Sequence, residues 1–335
     1  MGSIYVQTNE SDGNHVLRFG RSDDGRLSPE ERAATGGRGD GVPHLTSQGS
    51  VALSGDGKRL LVTNAGSGDL SVFTLGAELS SPQVVPTGGW APKSVTEHDG
   101  LVYVLNSGSP SLMGFRLTDE GATPIEGSLR ELLPDADPAQ VGFAPDGRSL
   151  VVTERGTNAI AVYPVGDDGL LGEPTMSPSA GPTPYGFTFS SADTLVVTEA
   201  FGAEKGKAAA SSYRVAESGV QLVSRSVGNG RSEICWAVAT PDGREVYTTN
   251  FADGAVSCYA VDESGALTLV DAAAGIAVDG RPGLRDEDLT RDGRFLYAID
   301  ADAGRIFGWA VDQHRLSPLG SWNGLPATVA GLAAD

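Results

Sequence analysis

The sequence predicts an all-β, seven-bladed β-propeller formed by one domain over residues 1–335. Three observations carry this prediction. A unit of three short strands and two tight turns returns down the whole chain. Its spacing is that of a propeller blade, roughly 40–50 residues for four strands. An apolar segment is left over at the C-terminus, where a closed ring needs one more strand.

The unit is clearest at Val51–Leu75, VALSGDGKRLLVTNAGSGDLSVFTL, where Asp56-Gly57 between apolar runs is a hairpin signal. Further copies are Val141–Val165, Val238–Val261 and Asp288–Val311, with weaker ones at Ser94–Leu117 and Phe187–Val215. Ile4–Phe19 is a copy without its first strand. A polar residue ends the second strand of each: Asn9, Asn64, Asn106, Glu154, Glu199, Asn250 and Asp300. After a first gap lengthened by the loop Glu30–Gly49, these marks stand 42, 48, 45, 51 and 50 residues apart. Seven marks mean seven blades. The chain enters at Ile4–Thr8 as a second strand, so the first blade lacks its innermost one. Thr328–Ala334, TVAGLAA, is apolar and long enough to supply it. Pairing the two ends closes the ring and leaves only short, protected edges.

Strand direction sorts the connections. In a four-stranded meander A-B-C-D each turn reverses the chain. The A–B and C–D turns therefore share one face, and the B–C turns share the other with the blade-to-blade D–A loops. The Asp-Gly pairs at 56–57, 99–100, 146–147, 242–243 and 292–293 are A–B turns. The irregular material is in the D–A loops at 37–50, 86–94, 134–140, 179–186, 228–236, 279–288 and 323–329. Variable loops on a rigid scaffold are where function is expected.

Composition narrows the partners. Net charge is −19 with only four lysines, which disfavours nucleic acid and anionic membrane. No apolar run approaches the length of a transmembrane helix. The opening MGSIYVQTNE lacks the charged and apolar regions of a signal peptide, so the expected location is the cytoplasm. The two cysteines, Cys235 and Cys258, fall in one repeat on strands two apart and are expected to be reduced. The expected partner is a small-molecule substrate, and the expected state a monomer.

Several residues on the loop-rich face can carry chemistry. Asn or Asp at the marks suits an Asx-turn. Glu154 and Glu199 depart from that, and two carboxylates in neighbouring blades can hold separated pKa values for acid–base work. The alternative is a structural pair, Glu154 with Arg155. Arg285, in the loop entering blade 7, suits a carboxylate, phosphate or developing oxyanion, or else pairs with its acidic neighbours. Glu233, Trp236 and Tyr185 end D–A loops, and the aromatics can wall a ligand pocket or plug the channel. His44 is the one histidine of four placed on this face. The insertion Gly202–Ala210 can cover the funnel as a flap or be a plain loop. No His/Cys/carboxylate set has metal-ligand spacing, and no cofactor motif is present.

With these repeats, the Pro-Asp-Gly-Arg turns at 145–148 and 241–244 and the end-strand closure, the chain resembles the lactonase family of seven-bladed propellers. That family includes bacterial 6-phosphogluconolactonase and fungal carboxymuconate-lactonising enzymes. The likeness covers nearly the whole chain, and Ser47-Gln48-Gly49 and Tyr185-Gly186-Phe187 are similar to an actinobacterial branch. The resemblance implies that Arg285 and Glu199 are the retained site residues, with Gln140 surviving from a His-Ala-His-Gln loop. The chain departs from the pattern at Asp137-Pro138-Ala139, at Thr183-Pro184 and at Phe251, losing histidines and two arginines. The implied activity is hydrolysis or formation of a lactone or cyclic ester of a small organic acid in the funnel. Glu199 would be the acid or base, Arg285 the carboxylate or oxyanion partner, and Gln140 would orient substrate or water. Glu154, Glu233, His44, Tyr185 and Trp236 would complete the pocket. Two alternatives stand beside it: a non-catalytic propeller that binds a ligand or protein, and a biosynthetic isomerase or lyase using the same funnel.

Overall fold

Seven antiparallel sheets form a ring in the computed structural model, which describes residues 2–42, 48–216, 219–278 and 280–335. The innermost strands, taken round the ring, are Ala330–Ala334, Val51–Leu53, Pro92–His98, Pro138–Phe143, Pro184–Phe189, Ile234–Ala239 and Leu284–Leu289. Each touches the next, and Leu284–Leu289 touches Ala330–Ala334, so the circle is complete. Blade 5 shows the meander in full: Pro184–Phe189, Thr194–Glu199, Ala209–Ala216 and Gly219–Gly228. The chain is a seven-bladed β-propeller.

The closure joins the two ends as expected. Ala330–Ala334 pairs antiparallel with Gly2–Gln7, setting Ile4 opposite Ala334 and Val6 opposite Leu332. Its apolar residues are buried because the strand lies against both its own blade and the inner strands beside it.

The second strand of each blade reads as a continuous apolar run because both its faces are covered by neighbouring blades. Arg59–Asn64, Leu101–Asn106 and Thr194–Glu199 are buried at every position. The core accordingly lies between blades. One cluster joins Leu101, Tyr103 and Leu105 of blade 3 to Val141, Phe143 and Leu150 of blade 4. The Asp-Gly turns close A–B hairpins, with both Asp99 and Gly100 at positive φ.

Among the described residues, helix is confined to two short 3₁₀ turns, Phe201–Ala203 and Phe251–Asp253. No helix there is long and apolar enough to cross a membrane. Both cysteines are free.

Candidate functional site

The inner strands begin irregularly, with one extra residue near the end that faces the loops. In blade 7 Leu284 faces Asp300 but Glu287 faces Ala298, so Arg285 and Asp286 stand opposite the single residue Ile299. The same extra residue falls within Tyr185-Gly186 in blade 5 and Cys235-Trp236 in blade 6. It recurs near Ala139 in blade 4, Lys93 in blade 3 and Gly331 in blade 1. A bulge of this kind re-aims side chains and is common beside functional sites. Here it is repeated round the ring at the end of the strands that faces the B–C turns and D–A loops.

These bulges also correct the sequence reading. Arg285, Tyr185, Trp236 and Gln140 lie within inner strands rather than in loops. The strands start earlier than periodicity implied because the bulge interrupts the alternation. Glu233 does precede its strand, at a strained φ of 56°. His44 lies outside the described residues.

Arg285 is 5% exposed, and its Nε and Nη1 have no hydrogen-bond partner among the described residues. Nη2 lies 3.4 Å from Asp302 Oδ1, and the guanidinium rests over the Phe251 ring at 5.0 Å. Phe251 thus stands where the family resemblance implied an arginine, and it supports one from another blade. Arg155 mirrors this arrangement on blade 4. It pairs with Asp137 at 2.6 Å and lies over the Tyr185 ring at 5.1 Å. Tyr185 meets Trp236 edge-on with ring centroids 5.8 Å apart, and both pack with Ala139, Cys235 and Phe251. Burial pushes the Cys235 thiol and the Tyr185 hydroxyl well up; Arg155 partly opposes both shifts, and Arg285 opposes that of Cys235. The result is an apolar floor flanked by two guanidiniums. Glu233 completes it: burial, then Asp253, raise its carboxyl above the usual range.

The remaining carboxylates and the glutamine are engaged elsewhere. Glu199 has no exposed surface; Oε1 accepts from Gly181 N at 2.8 Å and Ser211 Oγ at 2.5 Å, and Oε2 accepts from Ser226 Oγ at 2.7 Å. These partners belong to blade 5 and its entering loop, so the carboxylate points into the blade. Burial raises its pKa, against the lowering effect of those bonds. Asn64, Asn106 and Asn250 use the same socket, each donating Nδ2 to a serine of the third strand: Ser71, Ser111 and Ser257. Glu154 is also buried, with Thr157 Oγ1 donating to Oε2 at 2.6 Å, and Arg155 is paired with Asp137 instead. Gln140 Nε2 donates to Phe187 O at 3.1 Å and Oε1 accepts Phe187 N at 2.6 Å. Its amide braces blade 4 against blade 5 and is not free to orient a substrate or water.

Sequence reasoning missed Arg155, Phe251 and Cys235 as neighbours of Tyr185, Trp236 and Arg285, and missed the bond of Gln48 to blade 6. Their common signal is position: each lies at or beside the start of an inner strand or the end of a second strand. Gln48 crosses the channel from blade 2, and Gly186 is required beneath it, since a Cβ there would overlap Gln48 Oε1 and the Cys235 carbonyl.

The family profile described as "Lactonase, 7-bladed beta-propeller" matches residues 124–205 and 200–327, more than half of the chain. No curated protein sequence matches it. Similar solved structures include a Bacteroides fragilis protein given the provisional name 6-phosphogluconolactonase, at 20% identity and a TM-score of 0.75 over 100% of this chain and 98% of that one. The periplasmic gluconolactonase PpgL of Pseudomonas aeruginosa has 19% identity and a TM-score of 0.75 over 99% and 98%. A functionally unknown protein of Desulfotomaculum acetoxidans has 16% identity and a TM-score of 0.77 over 99% and 98%. At such identities the structures speak for the fold, whereas the profile is specific to one family. The chain belongs to the lactonase family of seven-bladed β-propellers.

Proposed function

We propose that the chain hydrolyses, or forms, a lactone or cyclic ester of a small organic acid at the funnel floor. One observation carries this reading: Arg285 is nearly buried, and its Nε and Nη1 have no acceptor among the described residues. A buried guanidinium in that state is costly unless an anionic group completes it. A substrate carboxylate, or the oxyanion formed as the ring carbonyl is attacked, fits its fork. Tyr185 and Trp236 supply an apolar wall for the ring. Asp302 orients Arg285 from the funnel side.

A base must reach the attacking water. Glu199 has no surface from which to do so, and in this reading it holds the blade that carries Tyr185. Glu233 takes the proton, since partial burial and a raised pKa bring it nearer neutrality, where a general base is most effective. The substrate is a free small molecule, and the chain works as a monomer in the cytoplasm.

The test is a panel of carboxylated and neutral lactones followed by acid release. Arg285→Ala and Arg285→Lys are expected to lower kcat/KM by roughly 10²–10³, the usual loss of an oxyanion or carboxylate donor. Glu233→Gln is expected to lower kcat. Unchanged rates in all three remove the site. The engagement of Glu199 inside its blade favours a second reading, a propeller that binds such acids without turning them over. Saturable binding lost in Arg285→Ala, with no turnover of any lactone, would select it.

A further inference from the structure

The face opposite the funnel carries a separate group of donor atoms. Glu245 opens the second strand of blade 6, Glu245–Asn250, and Cys258 lies in the neighbouring strand, Ala255–Val261. His314 sits in the turn between Arg305–Asp312 and Arg315–Asn323 of blade 7. His314 Nδ1 is 2.7 Å from Glu245 Oε1. One donor atom from each of Glu245, Cys258 and His314 lies within 4.8 Å of the other two. Tyr247, opposite Cys258 in the sheet, donates its hydroxyl to Glu245 Oε2 at 2.8 Å. A cleft of about 570 Å³ between the A–B turns of the two blades opens beside them.

We propose that Glu245, Cys258 and His314 form a Zn²⁺ site that clips blade 6 to blade 7. Thiolate and imidazole select zinc over the hard oxygen-seeking cations. Three protein ligands leave the fourth tetrahedral position to a water from the cleft. The Tyr247 hydroxyl orients the ligating carboxylate, as an outer-shell partner does. The metal takes Cys258 as thiolate, so binding releases the thiol proton to solvent. Because the ligands come from two blades, the metal stabilises their joint by mass action.

The test uses the full chain after chelation, titrated with Co²⁺. One equivalent is expected to give the near-ultraviolet thiolate-to-Co²⁺ charge-transfer band, and Zn²⁺ is expected to displace it. Cys258→Ser abolishes the band. His314→Ala changes an exposed turn and keeps the fold, yet weakens binding by at least about tenfold; Tyr247→Phe weakens it by roughly 10–100-fold. Zn²⁺ raises the Tm of the parent chain and not that of His314→Ala. Absence of both band and Tm shift means that the cluster is only a histidine–carboxylate pair beside a thiol, and overturns the proposal. A band that survives in both Cys258→Ser and His314→Ala places the metal elsewhere, on Cys235 for example, and overturns it equally.

Discussion

Gln48 and Ala237 exchange two hydrogen bonds across the central channel. Gln48 Nε2 donates to Ala237 O at 2.8 Å, and Oε1 accepts Ala237 N at 3.0 Å. Gln48 belongs to the loop entering blade 2 and Ala237 to the inner strand of blade 6, so one side chain bridges strands that are not neighbours in the ring. Its own carbonyl accepts from Ser94 Oγ of blade 3 at 2.6 Å. Gln48→Ala leaves the amide and carbonyl of Ala237 without these bonds. A buried backbone group so orphaned costs about 1–3 kcal/mol, softened where water enters. The expected outcome in urea unfolding is a loss of roughly 2 kcal/mol with a cooperative transition retained.

Glu199 invites a different measurement. Its three accepted hydrogen bonds make it a staple between the second strand, the third and fourth strands and the entering loop of blade 5. Glu199→Ala is expected to cost about 2–4 kcal/mol, because two buried donors, Gly181 N and Ser211 Oγ, and the half-buried Ser226 Oγ lose an acceptor together. Turnover per folded molecule is expected to persist. Urea midpoints combined with active-site-normalised rates separate the two effects. Loss of turnover in a fully folded Glu199→Gln chain would return the proton-transfer role to Glu199.

The contrast between Glu199 and Arg285 marks how far the sequence could be read. The polar residue at the end of each second strand was visible as a rhythm, and it located six strand ends, from Asn64 to Asp300. The reason for the rhythm was not visible. It is a socket filled by serines of the third strand and by the entering loop, contacts that exist only once the blade folds. Glutamate at position 199 looked chemical because it was longer than asparagine. Its length instead spans to Ser226 on the outer strand. Arg285 was legible from its position ahead of blade 7 and again from the family resemblance, but its place within a strand was hidden by the bulge. Arg155 was read as a partner of Glu154, because which side of a strand end a side chain leaves from is settled by packing between blades.

Three successive carboxyls on the inner strand of blade 7 make stability depend on pH. Asp286 and Glu287 are almost wholly buried, and among the described residues Glu287 has no donor of good geometry to either oxygen. Burial, then the neighbouring charge, raises both well above the carboxylate range. Asp288 is raised to about 7, chiefly by burial, although it accepts from Ala334 N at 2.9 Å. Each therefore holds its proton more tightly in the folded chain than in the unfolded one. The benefit is full below about pH 4, where both states are protonated. It is lost as pH rises towards the folded values, because the unfolded chain ionises first and binds fewer protons. Urea midpoints are expected to fall from pH 5 to pH 8, and the slope to flatten in Asp288→Asn, which keeps an acceptor for Ala334. Stability rising over that range would contradict the burial of these groups.

The last test concerns the seam of the ring. Ala330–Ala334 supplies the inner strand of the first blade, and its Ala334 amide is also the donor that Asp288 uses across the joint with blade 7. Deleting residues 330–335 removes the ladder from Ile4 to Gln7 and exposes Leu332's former site between blades. Burial of one leucine is worth about 1.5–3 kcal/mol, before the lost ladder and the uncovered Asp288 are counted. The strand Gly2–Gln7 then presents an unpaired edge, the kind that recruits another chain. Gel filtration of the shortened chain is expected to show species larger than the parent. Adding a peptide of the missing sequence is expected to pair with that edge and restore the parent elution volume, while a peptide carrying Leu332→Asp is expected to fail. A shortened chain with the parent elution volume and the parent Tm would mean that the ring is held by the other six joints alone.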